Sequence, residues 1–235
     1  MIPNLIELAA EKASEYQNAQ PFPHIALKDL FPVDLLREVS NEIEEKFKRD
    51  KEEQHWINKD NWQSKKRATA AVDKVGQHTV KMIEYLNGSE FVNFLGKLSG
   101  IDRLCADISL KGGGVHYIET GGFLKIHADF NYHAALKQYR RLNLLLYLND
   151  DWKEEYNGNL ELWNRDMKEC VHSYPPLLNT CVIFSVGDHA YHGHPTPLAC
   201  PEGRTRKSLA LYYYTDEKPE DTTVEYHTTL YQEKK

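Results

Sequence analysis

The sequence predicts an α+β fold: a jelly-roll barrel of short antiparallel strands with an N-terminal helical buttress. Three observations predict it. Apolar residues in the first third recur at helical steps. From about Asp107 the texture changes to β-branched and aromatic runs punctuated by glycine. No internal repeat or low-complexity stretch divides the 235 residues. We expect one domain, with 1–105 a mainly helical support region, 106–215 the jelly-roll core and 216–235 a polar, loosely held C-terminal tail.

Leu5, Ile6, Leu8 and Ala9 open an apolar face in a first helix. The prolines Pro21 and Pro23 precede an extended segment over roughly Pro23–Leu27. Leu36, Val39, Ile43 and Phe47 step by three and four, which places them on one face of a second helix, and Pro32 suits its first turn. From about Arg49 to Arg67 the chain is highly charged, with Trp56 and Trp62 interleaved. Within it, Lys59–Arg67 (Lys59, Trp62, Lys65, Lys66, Arg67) combines basic and aromatic residues; a solvated face is the expectation there, and a mobile lid or a contact for an acidic substrate is the functional alternative. A third helical region begins near Thr79, with Ser89 and Gly100 as start and stop of its second half. Beyond Gly112–Gly114 and Gly121–Gly122, the strand candidates are Arg141–Tyr147, Leu160–Trp163, Thr180–Phe184 and Ser208–Tyr214.

Composition excludes several classes. Hydrophobic residues are 41% and charged residues 27% of the chain, a globular balance, and the mean hydropathy is -0.63. No run approaches the ~18 apolar residues of a membrane helix. The opening Met1-Ile2-Pro3-Asn4-Leu5 lacks the basic-then-apolar order of a secretory signal. The cysteines Cys105, Cys170, Cys181 and Cys200 form no C-x-x-C pair and read as reduced thiols in a cytoplasmic protein. A formal net charge of -6 argues against a nucleic-acid partner.

Chemistry concentrates in two strings. In Lys125-Ile126-His127-Ala128-Asp129, residues two apart on a strand share a side, so the His127 imidazole and the Asp129 carboxylate can converge. Such a pair suits a borderline-hard divalent metal such as Fe(II), given a third ligand. Alone, H-x-D is a weak signal, commonly a surface or structural feature. The second string, Asp188-His189-Ala190-Tyr191-His192-Gly193-His194-Pro195, offers that third ligand. His192 and His194 share strand parity, so direction alone does not choose between them; His189 has the other parity and reads as structural. Arg206 opens the alternating strand Arg206-Lys207-Ser208-Leu209-Ala210-Leu211-Tyr212 and can pair bidentately with a carboxylate.

His127-x-Asp129, a distal His192 and Arg206-x-Ser208 together resemble the Fe(II)/2-oxoglutarate-dependent dioxygenases, and specifically their prolyl 4-hydroxylase-like branch. The run Arg141-Leu142-Asn143-Leu144-Leu145-Leu146-Tyr147-Leu148-Asn149-Asp150-Asp151-Trp152 resembles that branch's strand ending in Tyr-Leu-Asn with a nearby Trp. Gly158-Asn159-Leu160-Glu161-Leu162 fits its Gly-x-Leu-x-Leu, with Asn157 where a second Gly is frequent. The likeness spans about Lys111–Thr215.

The resemblance implies a double-stranded β-helix (cupin-like) core, with His127, Asp129 and His192 as iron ligands. The family's spacing from His to Pro favours His192 over His194. It implies that Arg206 and Tyr147 bind the distal carboxylate of 2-oxoglutarate and that Tyr117 lines the cosubstrate pocket. Fe(II) is then the cofactor and 2-oxoglutarate and O2 the cosubstrates, with ascorbate as a candidate reductant. Arg206 stands where collagen-type relatives use Lys, which changes the subgroup and not the chemistry. Retention of Asp129 disfavours halogenation, because the related halogenases replace that carboxylate with a small residue.

The remaining site candidates are weaker. Asn131, Asn143, Trp163 and His194 are candidate substrate contacts, against loop capping for Asn131, a core aromatic for Trp163 and a donor behind the ligands for His194. The expected activity is hydroxylation of an unactivated aliphatic C–H with decarboxylation of 2-oxoglutarate to succinate and CO2. Peptidyl proline is the first substrate to test, and a free amino acid or small biosynthetic metabolite is the second. Nucleic-acid demethylation lacks that branch's Arg-Asn…Arg signature. A jelly-roll module that binds metal without turnover is the non-enzymatic alternative.

Overall fold

A computed structural model describes residues 3–50, 57–59, 61–219 and 226–231. Four helices open the chain: α1 (Leu5–Gln17), α2 (Val33–Arg49), α3 (Gln77–Asn87) and α4 (Ser89–Ser99). Asn4 starts α1, its Oδ1 accepting from the amides of Ile6 and Glu7. The spaced residues of α2, Leu36, Val39, Ile43 and Phe47, are all buried. Pro32 stands at the N-cap, one residue before the first turn. Gly100 ends α4 with φ 73°, a left-handed conformation that favours glycine. α3 has no cap of its own at Gly76. Glu42 of α2 supplies one, accepting from the amides of His78 (2.9 Å) and Thr79 (2.8 Å).

The strands are β1 (His24–Lys28), β2 (Ile57–Lys59), β3 (Gln63–Thr69), β4 (Cys105–Ala106), β5 (Gly114–Ala128), β6 (Tyr132–His133), β7 (Gln138–Tyr147), β8 (Leu160–Trp163), β9 (Cys170–Tyr174), β10 (Thr180–Ser185), β11 (His192–His194), β12 (Arg206–Thr215) and β13 (Leu230–Tyr231). They pair antiparallel in the order β1-β10-β7-β12-β5-β11-β8-β9, a nearly closed jelly roll. β5 belongs to both halves. Its first part pairs with β12 and its last part with β11, while β3 and then β13 run along its other edge.

Period-two alternation decides what each strand offers to each side. Leu142, Leu144 and Leu146 of β7, Cys181 and Ile183 of β10, Leu209, Leu211 and Tyr213 of β12, and Val115 and Tyr117 of β5 pack against the helices in one buried core. Their strand neighbours, among them Asn143, Leu145, Phe184, Arg206, Ser208, His116 and Ile118, face a cavity of about 540 Å³ inside the barrel. The helical layer therefore closes one side of the sheet and leaves the other for chemistry.

Two expectations are corrected. The charged stretch up to Arg67 is not simply a solvated face, because β3 pairs with β5 along seven residues of strand and buries Gln63 and Arg67. Arg67 is tolerated inside because it ion-pairs with Glu119, donates to the Phe47 carbonyl and lies against the rings of Phe47 and Tyr117. Trp56 lies outside the described residues. The C-terminal region is not loose throughout: 226–231 packs onto the barrel through β13, and the His227 amide donates to Asn131 Oδ1 (2.9 Å). No helix among the described residues is long and apolar enough to cross a membrane.

Candidate metal and cosubstrate site

His127 ends β5 and His192 opens β11, and the two are directly opposed across the ladder. Directly opposed residues point to the same side, so both imidazoles enter the cavity, their ring centroids 4.5 Å apart. The strands can close this far because position 193 is glycine. A Cβ there would meet the carbonyl oxygens of Leu124 and Lys125 at 2.8 Å each. Asp129, just past β5, turns its carboxylate between the two rings. His127 Nε2 lies 3.5 Å from Oδ1 and His192 Nε2 3.3 Å from Oδ2. Among the described residues these three form the cluster with metal-ligand chemistry, their ligand atoms all within 4.8 Å of one another.

The ring orientations show what the cluster can hold. His127 Nδ1 donates to the Lys125 carbonyl (2.8 Å) and His192 Nδ1 to the Ala190 carbonyl (2.9 Å). A carbonyl only accepts, so each neutral ring carries its proton on Nδ1 and presents the Nε2 lone pair to the carboxylate. Two nitrogen lone pairs and a carboxylate facing one another repel until a cation sits among them. Two imidazoles and one carboxylate on adjacent elements form the facial donor set of non-haem Fe(II), so the residues fit that metal.

Asp129 is held from behind by a buried network. Arg140 Nη2 (3.0 Å) and Asn143 Nδ2 (2.7 Å) both donate to its Oδ2, and Arg140 Nε donates to Asn143 Oδ1 (2.8 Å). The guanidinium carbon stands 3.4 Å from the centroid of Tyr212 and 4.5 Å from that of Phe130. Burial alone would push Asp129 up, but the Arg140 guanidinium beside it holds it well below the usual carboxylate range. Burial pushes His127 down from the ordinary histidine value.

Arg206 sits elsewhere on the cavity wall, its Nε donating to the Gly158 carbonyl (2.7 Å) and its Nη2 to the Tyr147 hydroxyl (3.1 Å). It is 5% exposed, and a guanidinium so buried needs an anionic partner. Lys66, His116 and His194 line the same cavity.

The sequence-predicted residues divide accordingly. His127, Asp129, His192, Arg206, Asn143 and His194 all reach the cavity, and Tyr147 reaches it through Arg206. His192, not His194, is the histidine that meets His127 and Asp129. Tyr117 does not reach the cavity. It stacks on Phe47 (4.6 Å between centroids), and its hydroxyl donates to Glu44 Oε1 on α2. Tyr117 and His127 share sequence parity, but Ile118 and Leu124, of the other parity, line the cavity, and β5 slips register between Leu124 and His127 against β11, which turns His127 to the cavity side. Trp163 packs on Ile126, Ala128 and Tyr191, on the opposite face of the sheet from His127. Asn131 holds the 226–231 segment rather than lining the cavity.

Sequence reasoning missed Arg140, His116 and Tyr231, and gave Lys66 only as part of a charged stretch. Tyr231 stacks on Trp62 (5.0 Å) and lies 5.5 Å from the His127 ring, forming a wall at the cavity with Thr229. Arg140 and Asn143 are three residues apart, so strand alternation predicts that they point to opposite sides; a register shift against β12 between Leu142 and Arg140 turns them to the same one.

Comparison with known proteins bears directly on this geometry. Residues 113–214 match the family model described as the 2OG-Fe(II) oxygenase superfamily, a span that contains His127, Asp129, His192 and Arg206. The match runs from β5 into β12 and covers less than half of the chain. The oxygenase fold extends beyond that span. A prolyl-4-hydroxylase from Pseudomonas putida superposes with a TM-score of 0.58 at 18% identity, covering 91% of this chain and 100% of that one. A prolyl hydroxylase from Trichoplax adhaerens, in complex with a hypoxia inducible factor oxygen degradation domain peptide fragment, gives 0.61 at 16% identity, covering 89% and 90%. An oxidoreductase of the 2OG-Fe(II) oxygenase family from Burkholderia pseudomallei gives 0.54 at 11% identity, covering 91% and 92%. At these identities the likeness establishes the fold. No curated protein sequence matches the chain. The superfamily that the model describes is one of Fe(II) and 2-oxoglutarate, and the cluster of His127, Asp129 and His192 suits that iron.

Proposed function

We propose that this oxygenase hydroxylates an unactivated aliphatic C–H bond, with His127, Asp129 and His192 holding iron and Arg206, braced by Tyr147, holding the distal carboxylate of 2-oxoglutarate. The observation that carries the reading is the pair of Nδ1–carbonyl bonds, which turn both Nε2 lone pairs onto the Asp129 carboxylate. Iron with 2-oxoglutarate and O2 supplies the oxidant that converts C–H to C–OH while the cosubstrate becomes succinate and CO2. The chain's own part is placement. Arg140 and Asn143 fix the carboxylate, Arg206 neutralises the far end of the cosubstrate, and Leu145, Leu160 and Phe184 keep the interior apolar. Residues 1–105 act as support and 106–215 as the catalytic core of one domain, and ascorbate serves as reductant for iron.

Peptidyl proline is the substrate we would test first, on the likeness of the fold to prolyl hydroxylases, one of them in complex with a peptide fragment. A free amino acid or small metabolite is the second reading, favoured by the wall that Thr229 and Tyr231 build at the cavity. The test is anaerobic absorption on metal-free protein given Fe(II) and then 2-oxoglutarate. A visible charge-transfer band is expected, absent in His127→Ala and weakened in Arg206→Ala. Iron binding with no band on adding 2-oxoglutarate would refute the assignment. Succinate release with proline peptides against free amino acids then separates the two substrate readings.

A further inference from the structure

His194 is a cavity residue whose chemistry neither the metal cluster nor the network behind it uses. It is 3% exposed, lines the cavity, and among the described residues neither Nδ1 nor Nε2 has a hydrogen-bond partner. A buried imidazole with both nitrogens unmet forfeits the water it would bond in solution, a cost that a ligand can relieve.

The sheet register says what that ligand meets. Along one edge of β5, Arg206 faces Ile118, His194 faces Leu124 and His192 faces His127. His194 therefore lies between Arg206 and the candidate metal ligands. The bulge at 119–122 brings Ile118 and Leu124 closer than six strand steps would, since β3 spans the same interval from Lys66 to Gln63. A dicarboxylate stretched from the metal cluster to Arg206 passes this imidazole. The charges that bear on His194 most are Arg206 and then Lys66, which marks its surroundings as cationic.

We infer that His194 is a cosubstrate-binding residue, donating a hydrogen bond to the distal carboxylate of 2-oxoglutarate alongside Arg206. The inference rests on the proposed function and deepens it. An imidazole there sets the selectivity for a 2-oxo dicarboxylate over the corresponding 2-oxo monocarboxylate. Arg206 supplies the charge, and His194 supplies a second, neutral donor that fixes where the carboxylate sits.

The test is calorimetric binding to Mn(II)-loaded protein without O2, so no turnover enters. The ligands are 2-oxoglutarate and 2-oxopentanoate, the same chain with a methyl in place of the distal carboxylate. The proteins are wild type, His194→Leu, His194→Gln and Arg206→Ala, each first titrated with Mn(II) to show that the metal site is intact. His194→Leu is expected to weaken 2-oxoglutarate about tenfold or more while leaving 2-oxopentanoate within about twofold, and His194→Gln to recover part of the loss. If Arg206→Ala weakens 2-oxoglutarate and His194→Leu does not, the inference fails and the proposed function stands. If His194→Leu weakens both ligands equally, the contact is not to the distal carboxylate and the inference fails. Wild type that binds Mn(II) but neither ligand would overturn both.

Discussion

Asn143→Ala tests whether the network behind Asp129 organises the metal site. Asn143 is 2% exposed and makes two bonds to charged groups, donating to Asp129 Oδ2 at 2.7 Å and accepting from Arg140 Nε at 2.8 Å. Each such bond contributes about 1.5–3 kcal/mol, and the two are coupled, so we expect a loss of about 3 kcal/mol in the metal-free protein. For a chain of this size that is a fall in Tm of about 6–12 °C. Removing a partner of a ligating group also weakens metal binding by about 10–100-fold. At a fixed excess of Mn(II), the variant then gains about 1.4–2.7 kcal/mol less from the metal than wild type does. The stability gap should widen on adding metal, to about 4–6 kcal/mol. The assay is thermal and denaturant unfolding with and without Mn(II), alongside a metal titration. A gap that closes with metal would show that the ion alone arranges Asp129, and would refute the argument.

Three further outcomes follow from the same structure. Glu42 is pushed up by burial but held below its ordinary value by the amides and side chains of His78 and Thr79, so its contribution is present above the unfolded pKa and lost as pH falls through the lower folded one. Glu42→Gln should therefore cost about 1–3 kcal/mol at neutral pH, with the difference from wild type shrinking in acid; a difference independent of pH would contradict this. Gly76→Ala would put a Cβ 2.1 Å from Glu42 Cδ, which four hydrogen bonds pin in place, and should cost about 1–3 kcal/mol by chemical denaturation; a change within about 0.5 kcal/mol would show that Glu42 gives way freely. Tyr231→Ala removes the ring 5.5 Å from His127 and should raise succinate formation in the absence of substrate, by admitting water to the site, while Mn(II) affinity holds; an unchanged uncoupled rate would mean that the wall does not exclude water.

The helices were legible because their spacing is local: Leu36, Val39, Ile43 and Phe47 are all buried. So were the ligand strings, since His127 and Asp129 lie two residues apart and His192 stands in a dense histidine run. What stayed hidden depends on register or on distant partners. Tyr117 and His127 face opposite sides because β5 slips register between Leu124 and His127, and that slip leaves no mark in the residues it spans. β3 reads as a charged run because its inward arginine is neutralised by Glu119, fifty-two positions away in sequence. Tyr231 reaches the cavity from the far end of the chain, through a bond between the His227 amide and Asn131 that no motif announces.

The restraints on the two imidazoles have a consequence for how the site can change over time. Each ring is steered by the carbonyl two residues earlier on its own strand, Lys125 for His127 and Ala190 for His192. A carbonyl is common to every amino acid, so substitutions at 125 and 190 alter bulk and charge without deleting the acceptor. Tolerance at those two positions is thus a property of the backbone, whereas Asp129 depends on the side chains of Arg140 and Asn143, which can be lost in a single step. Drift in this lineage should therefore be free at 125 and 190 and constrained at 140 and 143.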